Sequence, residues 1–113
     1  MKDKFYIIIE IKKTINYINK VIINYPKVEY ILKNSIEVNS YKLLEYCYKA
    51  NIIKEKRIIY QKELLVIIKM LDYYFYLSYL NKLINKKKYE SISSYLLNIT
   101  KYIYGWIRSE KKG

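Results

Sequence analysis

The chain has 113 residues, 52% of them apolar, and a formal net charge of +12 from 22 basic and 10 acidic side chains. That length supports one hydrophobic core and hence one domain over residues 1–113, and the apolar content is too high for a disordered tail. Only two glycines and one proline are present, which excludes an all-β fold built on tight turns and leaves a few long helices.

Four segments show apolar residues stepping by three and four, the period of a helix with one buried face. The first, residues 3–24, starts at Asp3 as a candidate N-cap and reads Ile8, Ile11, Ile15, Ile18, Ile22. Pro26 opens the second, residues 26–51, because proline suits a first helical position; its stripe is Val28, Leu32, Ile36, Asn39, Leu43, Cys47, Ala50. The third, residues 54–84, reads Tyr60, Leu64, Ile67, Leu71, Tyr74, Ser78. The fourth, residues 86–108, reads Tyr89, Ile92, Leu96, Ile99, Ile103, Trp106. Each break contains or follows asparagine, which tolerates the backbone angles of caps and turns. Strides near 3.5 residues and short connections predict an all-α, up-down-up-down antiparallel four-helix bundle.

The third helix is richer in apolar surface than one seam requires. Its end, YYFYLSYL over residues 73–80, is apolar or aromatic all round, and such a helix is buried on more than one side. In a four-helix bundle the second side is another subunit, with Tyr73, Tyr76, Tyr79 and Leu80 as the expected interface of a homo-oligomer. The alternative is tyrosine set on an ordinary surface by codon usage. Ile, Lys, Tyr and Asn, all with AT-rich codons, make up 66 of the 113 residues. That bias explains lysine in place of arginine, but not an excess of bases over acids.

Residue types that carry chemistry are scarce. There is no histidine, the commonest general base and metal ligand. The single cysteine, Cys47, lies on a core stripe, where a structural thiol is the expected role. No glycine-rich loop is present to cradle phosphate, and the glutamates are dispersed among lysines as on a solvated helix surface. The expectation is binding, without catalysis, metal or cofactor. A spanning helix needs roughly 18 consecutive apolar residues, and Glu10, Lys69, Asp72 and Lys101 interrupt the most apolar stretches. The run from Phe5 to Ile9 is too short for a signal peptide. An unpaired thiol fits a reducing compartment, so the expected location is cytoplasmic, with no membrane partner.

A chain this positive calls for an anionic partner, RNA or DNA first, through release of condensed counterions. The fourth helix is the most basic, with five bases and one acid over residues 86–108. Lys86, Lys87 and Lys88 open it and oppose its dipole, at about 0.3–1 kcal/mol per unfavourable placement. Either an anion held by the free N–H groups offsets this, or the segment is a solvated turn without a ligand. Lys54, Lys56 and Arg57 open the third helix in the same way, and the topology puts the two clusters at opposite ends. Lys101, Tyr102, Tyr104, Trp106 and Arg108 interleave bases with aromatics, a pattern that stacks single-stranded nucleic acid. Trp106 also continues the core stripe, which gives it a structural role.

The segment YLSYLNKLINKKKYESISSYLLNITKYIYGWIRS, residues 76–109, resembles the accessory variability determinant (Avd) proteins of diversity-generating retroelements. The carriers are a Leu-rich turn, the pair Tyr89-Glu90, and the closing motif Gly105-Trp106-Ile107-Arg108. Upstream, Tyr25-Pro26-Lys27 looks like the family's junction between its first two helices, and Ala50 like its small residue ending the second. Three positions depart from the family pattern: Thr100-Lys101 replaces Gly-Arg, Tyr104 replaces a glycine, and Tyr76 replaces an arginine. Lys101 keeps the charge of that arginine but not its planar fork. The resemblance implies a non-catalytic homopentamer of four-helix bundles that binds template RNA and a reverse transcriptase in mutagenic retrohoming. It makes Pro26, Gly105 and Trp106 structural. Lys101, Arg108, Lys69 and Lys82 are the first candidates for nucleic-acid contact, followed by Arg57 and Lys86, Lys87 and Lys88. Ribosomal-RNA intervening-sequence bundle proteins share the bundle type without a neighbouring retroelement. An oligomeric scaffold that recognises protein only is the competing class.

Overall fold

A computed structural model describes residues 2–112 of the chain, and 6–111 with their side chains. Four helices make up the fold: α1 (Lys2–Ile22), α2 (Tyr30–Ile52), α3 (Arg57–Leu80) and α4 (Lys86–Lys112). Single 3₁₀ turns, Lys27–Glu29 and Lys54–Lys56, precede α2 and α3. No strand occurs among the described residues. Each helix packs on the next and α4 returns to α1, while among the described residues the backbones of the two diagonal pairs stay apart. This is the expected up-down-up-down four-helix bundle.

Isoleucine dominates the interior. Ile7, Ile11, Ile15, Ile18 and Ile22 of α1 meet Ile36, Leu43, Cys47 and Ala50 of α2, all buried. Leu64, Ile67, Ile68, Leu71 and Phe75 of α3 close on Ile92, Leu96, Ile99, Ile103 and Trp106 of α4. The α4 stripe is as expected, except that Tyr89 is only half buried. In the other three helices most of the expected stripe is buried, and single members shift by one residue. Ile7 replaces Ile8, Ser40 replaces Asn39, Gln61 replaces Tyr60 and Phe75 replaces Tyr74 as the fully buried member. Period and neighbour allow either phase there. Packing keeps the tyrosine hydroxyls of Tyr60 and Tyr74 toward the edge, while Ser40 and Gln61 enter the centre, Ser40 bonded to the Ile36 carbonyl and Gln61 with its Nε2 unpartnered among the described residues. Val28 is exposed, because it lies in the 3₁₀ turn rather than in α2. The buried hydroxyls of Thr14, Ser40 and Ser78 donate to the carbonyl four residues back, at 2.6–2.9 Å, the usual way to satisfy a small polar group inside a helix.

The junctions show why the helices end where they do. Tyr25 buries its ring after α1, while Pro26 is extended (φ −58°, ψ 150°) and its carbonyl accepts from Glu29 N–H at 2.9 Å. Pro26 therefore precedes a 3₁₀ turn instead of starting α2 itself. The third helix stops at Leu80, short of residue 84, in a Schellman motif: Leu83 N–H donates to Ser78 O and Lys82 N–H to Tyr79 O. Lys82 holds the left-handed position that glycine usually fills (φ 62°). It thus lies in the turn and not on α3. Asn85 caps α4, its Oδ1 accepting from Lys88 N–H at 2.8 Å.

Candidate nucleic-acid interface

Charge is divided unequally among the helices. α4 has seven bases and two acids and α1 five and two, whereas α2 and α3 each carry only one base in excess. α1 and α4 lie side by side, so two-thirds of the net charge belongs to one pair of adjacent rods. The partition follows from sequence, but only the packing makes these two helices neighbours.

Along α4, Lys87, Ser94, Lys101 and Arg108 recur every seven residues and are all exposed. Seven residues is nearly two turns, so these side chains form one ridge with steps of about 10.5 Å. Between the ridge and α1 runs a tyrosine seam. Tyr17 stacks on Tyr95 with ring centroids 4.9 Å apart, and Tyr6 on Tyr102 at 6.3 Å. The Lys88 ammonium sits over the Tyr17 ring at 5.7 Å, a cation–π contact that holds it against the seam. A shallow groove of about 470 Å³, lined by Lys87, Glu90, Ser91, Ser94, Tyr95 and Asn98, follows this side of α4. Lys13 and Lys20 add exposed ammonium groups from α1, and Glu10 meets Lys13 at 3.6 Å. Cations, amides, hydroxyls and aromatic faces on one surface are the chemistry that grips a polyanion with bases.

The sequence-derived candidates scatter over the molecule. Lys101, Arg108 and Lys87 share the α4 ridge, and Lys86 and Lys88 flank its upper end, with Lys86 in a long, exposed pair with Glu90 at 3.9 Å. Lys82 is exposed in the turn at that same end. Lys69 faces the other way, into a groove between α3 and α4. Arg57 is committed inside the fold. Its Nε and Nη2 donate to the carbonyls of Ala50 and Asn51 at the end of α2, at 2.7 and 3.0 Å. Its Nη1 meets Glu110 Oε1 at 3.0 Å, and its guanidinium lies 5.8 Å from the Trp106 ring centre. Trp106 is fully buried and its Nε1 donates to the same Glu110 oxygen. Arg57, Trp106 and Glu110 thus form a clasp joining α2, α3 and α4, and Arg57 is left out of the proposed surface. Gly105 has ordinary helical backbone and is half buried. Periodicity around the core stripe could not reveal the tyrosine seam, because its rings come from helices distant in sequence.

The expected oligomer residues divide as well. Tyr73, Tyr76 and Leu80 are exposed on α3. Tyr79 is half buried and stacks on Tyr89 at 5.9 Å. Tyr89 and Ser93 donate to the Asp72 carboxylate at 3.4 and 3.1 Å, tying α4 to α3. Burial, then the nearby Asp72 charge, raises the Tyr89 hydroxyl above its usual pKa. Burial pushes the Cys47 thiol up to about 12, so little thiolate exists at neutral pH.

No helix among the described residues is long and apolar enough to cross a membrane. Comparison with protein families, with curated proteins and with solved structures found no match to this chain.

Proposed function

We propose that this chain is a non-catalytic, cytoplasmic RNA-binding accessory protein that grips single-stranded or irregular RNA along the α1–α4 face and self-associates through α3. The observation that carries this reading is the concentration of twelve bases against four acids on two adjacent helices with tyrosine pairs between them. Backbone phosphates meet the Lys87–Lys101–Arg108 ridge, and unstacked bases meet the Tyr17, Tyr95 and Tyr102 rings. The likeness of Tyr89-Glu90 and Gly105-Trp106-Ile107-Arg108 to the Avd family adds a specific setting. In it the RNA is the template of a diversity-generating retroelement, and the further partner is its reverse transcriptase.

The test is RNA binding by fluorescence anisotropy between 50 and 200 mM salt, with the triple variant Lys87→Glu, Lys101→Glu, Arg108→Glu beside the parent chain. Affinity is expected to fall by about 100-fold in the variant, and the salt slope to flatten by about 0.7 for each lost phosphate contact. Parent binding that ignores salt would refute the proposal. The exposed apolar face of α3 favours one competing reading, a scaffold that recognises protein only. Under it, a partner captured by this chain stays bound after nuclease treatment, and the parent has no measurable RNA affinity.

A further inference from the structure

The outward face of α3 has a second apolar seam, separate from the core. Ile59, Val66, Tyr73 and Leu80 recur every seven residues, each more than half exposed. Met70 and Leu77 fall between them in alternating steps of four and three. That is the stride of a helix packed lengthwise on another helix, yet no helix of the subunit covers it. The seam continues into the α3–α4 groove, a concavity of about 600 Å³ walled by Leu65, Leu97 and Tyr104 with Asp72 and Lys69 at its side. Neither Asp72 nor Lys69 is in an ion pair among the described residues.

We infer that α3 pairs with α3 of a second copy, antiparallel, about a two-fold axis near Met70, with Lys69 of each copy meeting Asp72 of the other. This rests on the self-association reading above and specifies its geometry. The argument is one of symmetry. A two-fold axis lying in the contact and perpendicular to the helix reverses position along α3 but keeps the α4 side facing the α4 side. The outer apolar pairs, Ile59 with Leu80 and Val66 with Tyr73, are centred between Lys69 and Met70. Lys69 and Asp72 are centred between Met70 and Leu71, one residue or about 1.5 Å further along. One axis therefore matches apolar to apolar and cation to anion. With Met70 on the axis, the seam's one charged member, Glu63, lies opposite Leu77 of the second copy, and its exposed side chain turns to solvent at the edge of the contact. A parallel pairing loses this match, since its two-fold axis runs along the helices and sets the α4 side of one copy against the α2 side of the other, away from the partner's Lys69 and Asp72. A ring of head-to-tail contacts would have to offer the seam a different surface and leave this self-complementarity unused.

Cross-linking and charge exchange test the axis together. The parent chain, freed of nucleic acid, is expected to sediment as a dimer. Met70→Cys, with the buried and unreactive Cys47 left in place, is expected to form a disulfide-linked dimer on mild oxidation, because the two Met70 positions face each other. Ile59→Cys and Leu80→Cys are expected to cross-link when mixed and not alone. Lys69→Asp or Asp72→Lys is expected to weaken dimerisation by about tenfold, and the double exchange to restore it. Circular dichroism of each variant checks that the helices remain. A chain that stays monomeric at high concentration overturns this geometry and the self-association reading with it. A larger ring, or Met70→Cys chains that do not cross-link to one another, overturns the two-fold axis alone.

Discussion

Two helices of this protein begin in the same way, with a run of bases where the helix dipole disfavours them, and the fold uses the two runs differently. At the start of α3, Lys54 and Lys56 remain in solvent, while Arg57 turns inward to the carbonyls that end α2 and to the Glu110 carboxylate. The cation is placed at the negative end of a neighbouring helix, where the dipole attracts it. At the start of α4, Lys86, Lys87 and Lys88 are all exposed. Asn85 supplies the cap that the lysines cannot. One run closes the fold and the other is available to a partner. Guanidinium geometry accounts for part of this difference, since a planar fork can bond two carbonyls and a carboxylate at once and an ammonium cannot do so in the same directions.

The comparison can be broken by experiment, beginning with the effect expected to be largest. Lys86→Glu, Lys87→Glu, Lys88→Glu should lower RNA affinity by about 100-fold at low salt, and yet raise stability by about 1 kcal/mol in urea unfolding, since acids suit a first turn. A loss of stability instead would mean that these lysines are structural. Arg57→Ala should cost about 2 kcal/mol of stability, because it strips the charged hydrogen bonds that tie α3 to α2 and α4. Its RNA affinity should stay within about twofold of the parent, well inside 1 kcal/mol. Arg57→Lys should recover only part of the stability. Asn85→Ala should cost about 1 kcal/mol through the lost cap. The smallest effect belongs to the turn between α3 and α4. Lys82→Gly should gain up to about 1 kcal/mol by relieving the left-handed backbone, read as a small rise in the urea midpoint.

Much of the fold could be read in the residues. Four helices, their order and the whole buried α4 stripe from Ile92 to Trp106 follow from spacing, because an amphipathic helix has one way to hide its isoleucines. Boundaries were less legible. Residues 81–84 continue a helical composition, and only the bonds of the Schellman motif show that the chain turns at Lys82. Phase was ambiguous wherever two adjacent apolar residues competed, as at Ile7 and Ile8 or Tyr74 and Phe75. Of the candidate site, the basicity of α4 and the Lys101 and Arg108 positions were visible in the sequence. Lys69 and Arg57 look equally basic there, but the fold turns one into a groove beside a carboxylate and locks the other against helix ends.

By itself the sequence determined helicity, most of each buried stripe and the excess of positive charge, since these depend on residue type and on neighbours within a turn or two. The tertiary structure alone decided which cations share a surface, which tyrosines stack, and which apolar stripe is left outside. Those outcomes depend on which helices become neighbours and how far each is rotated. Such quantities are fixed only when all four rods pack at once.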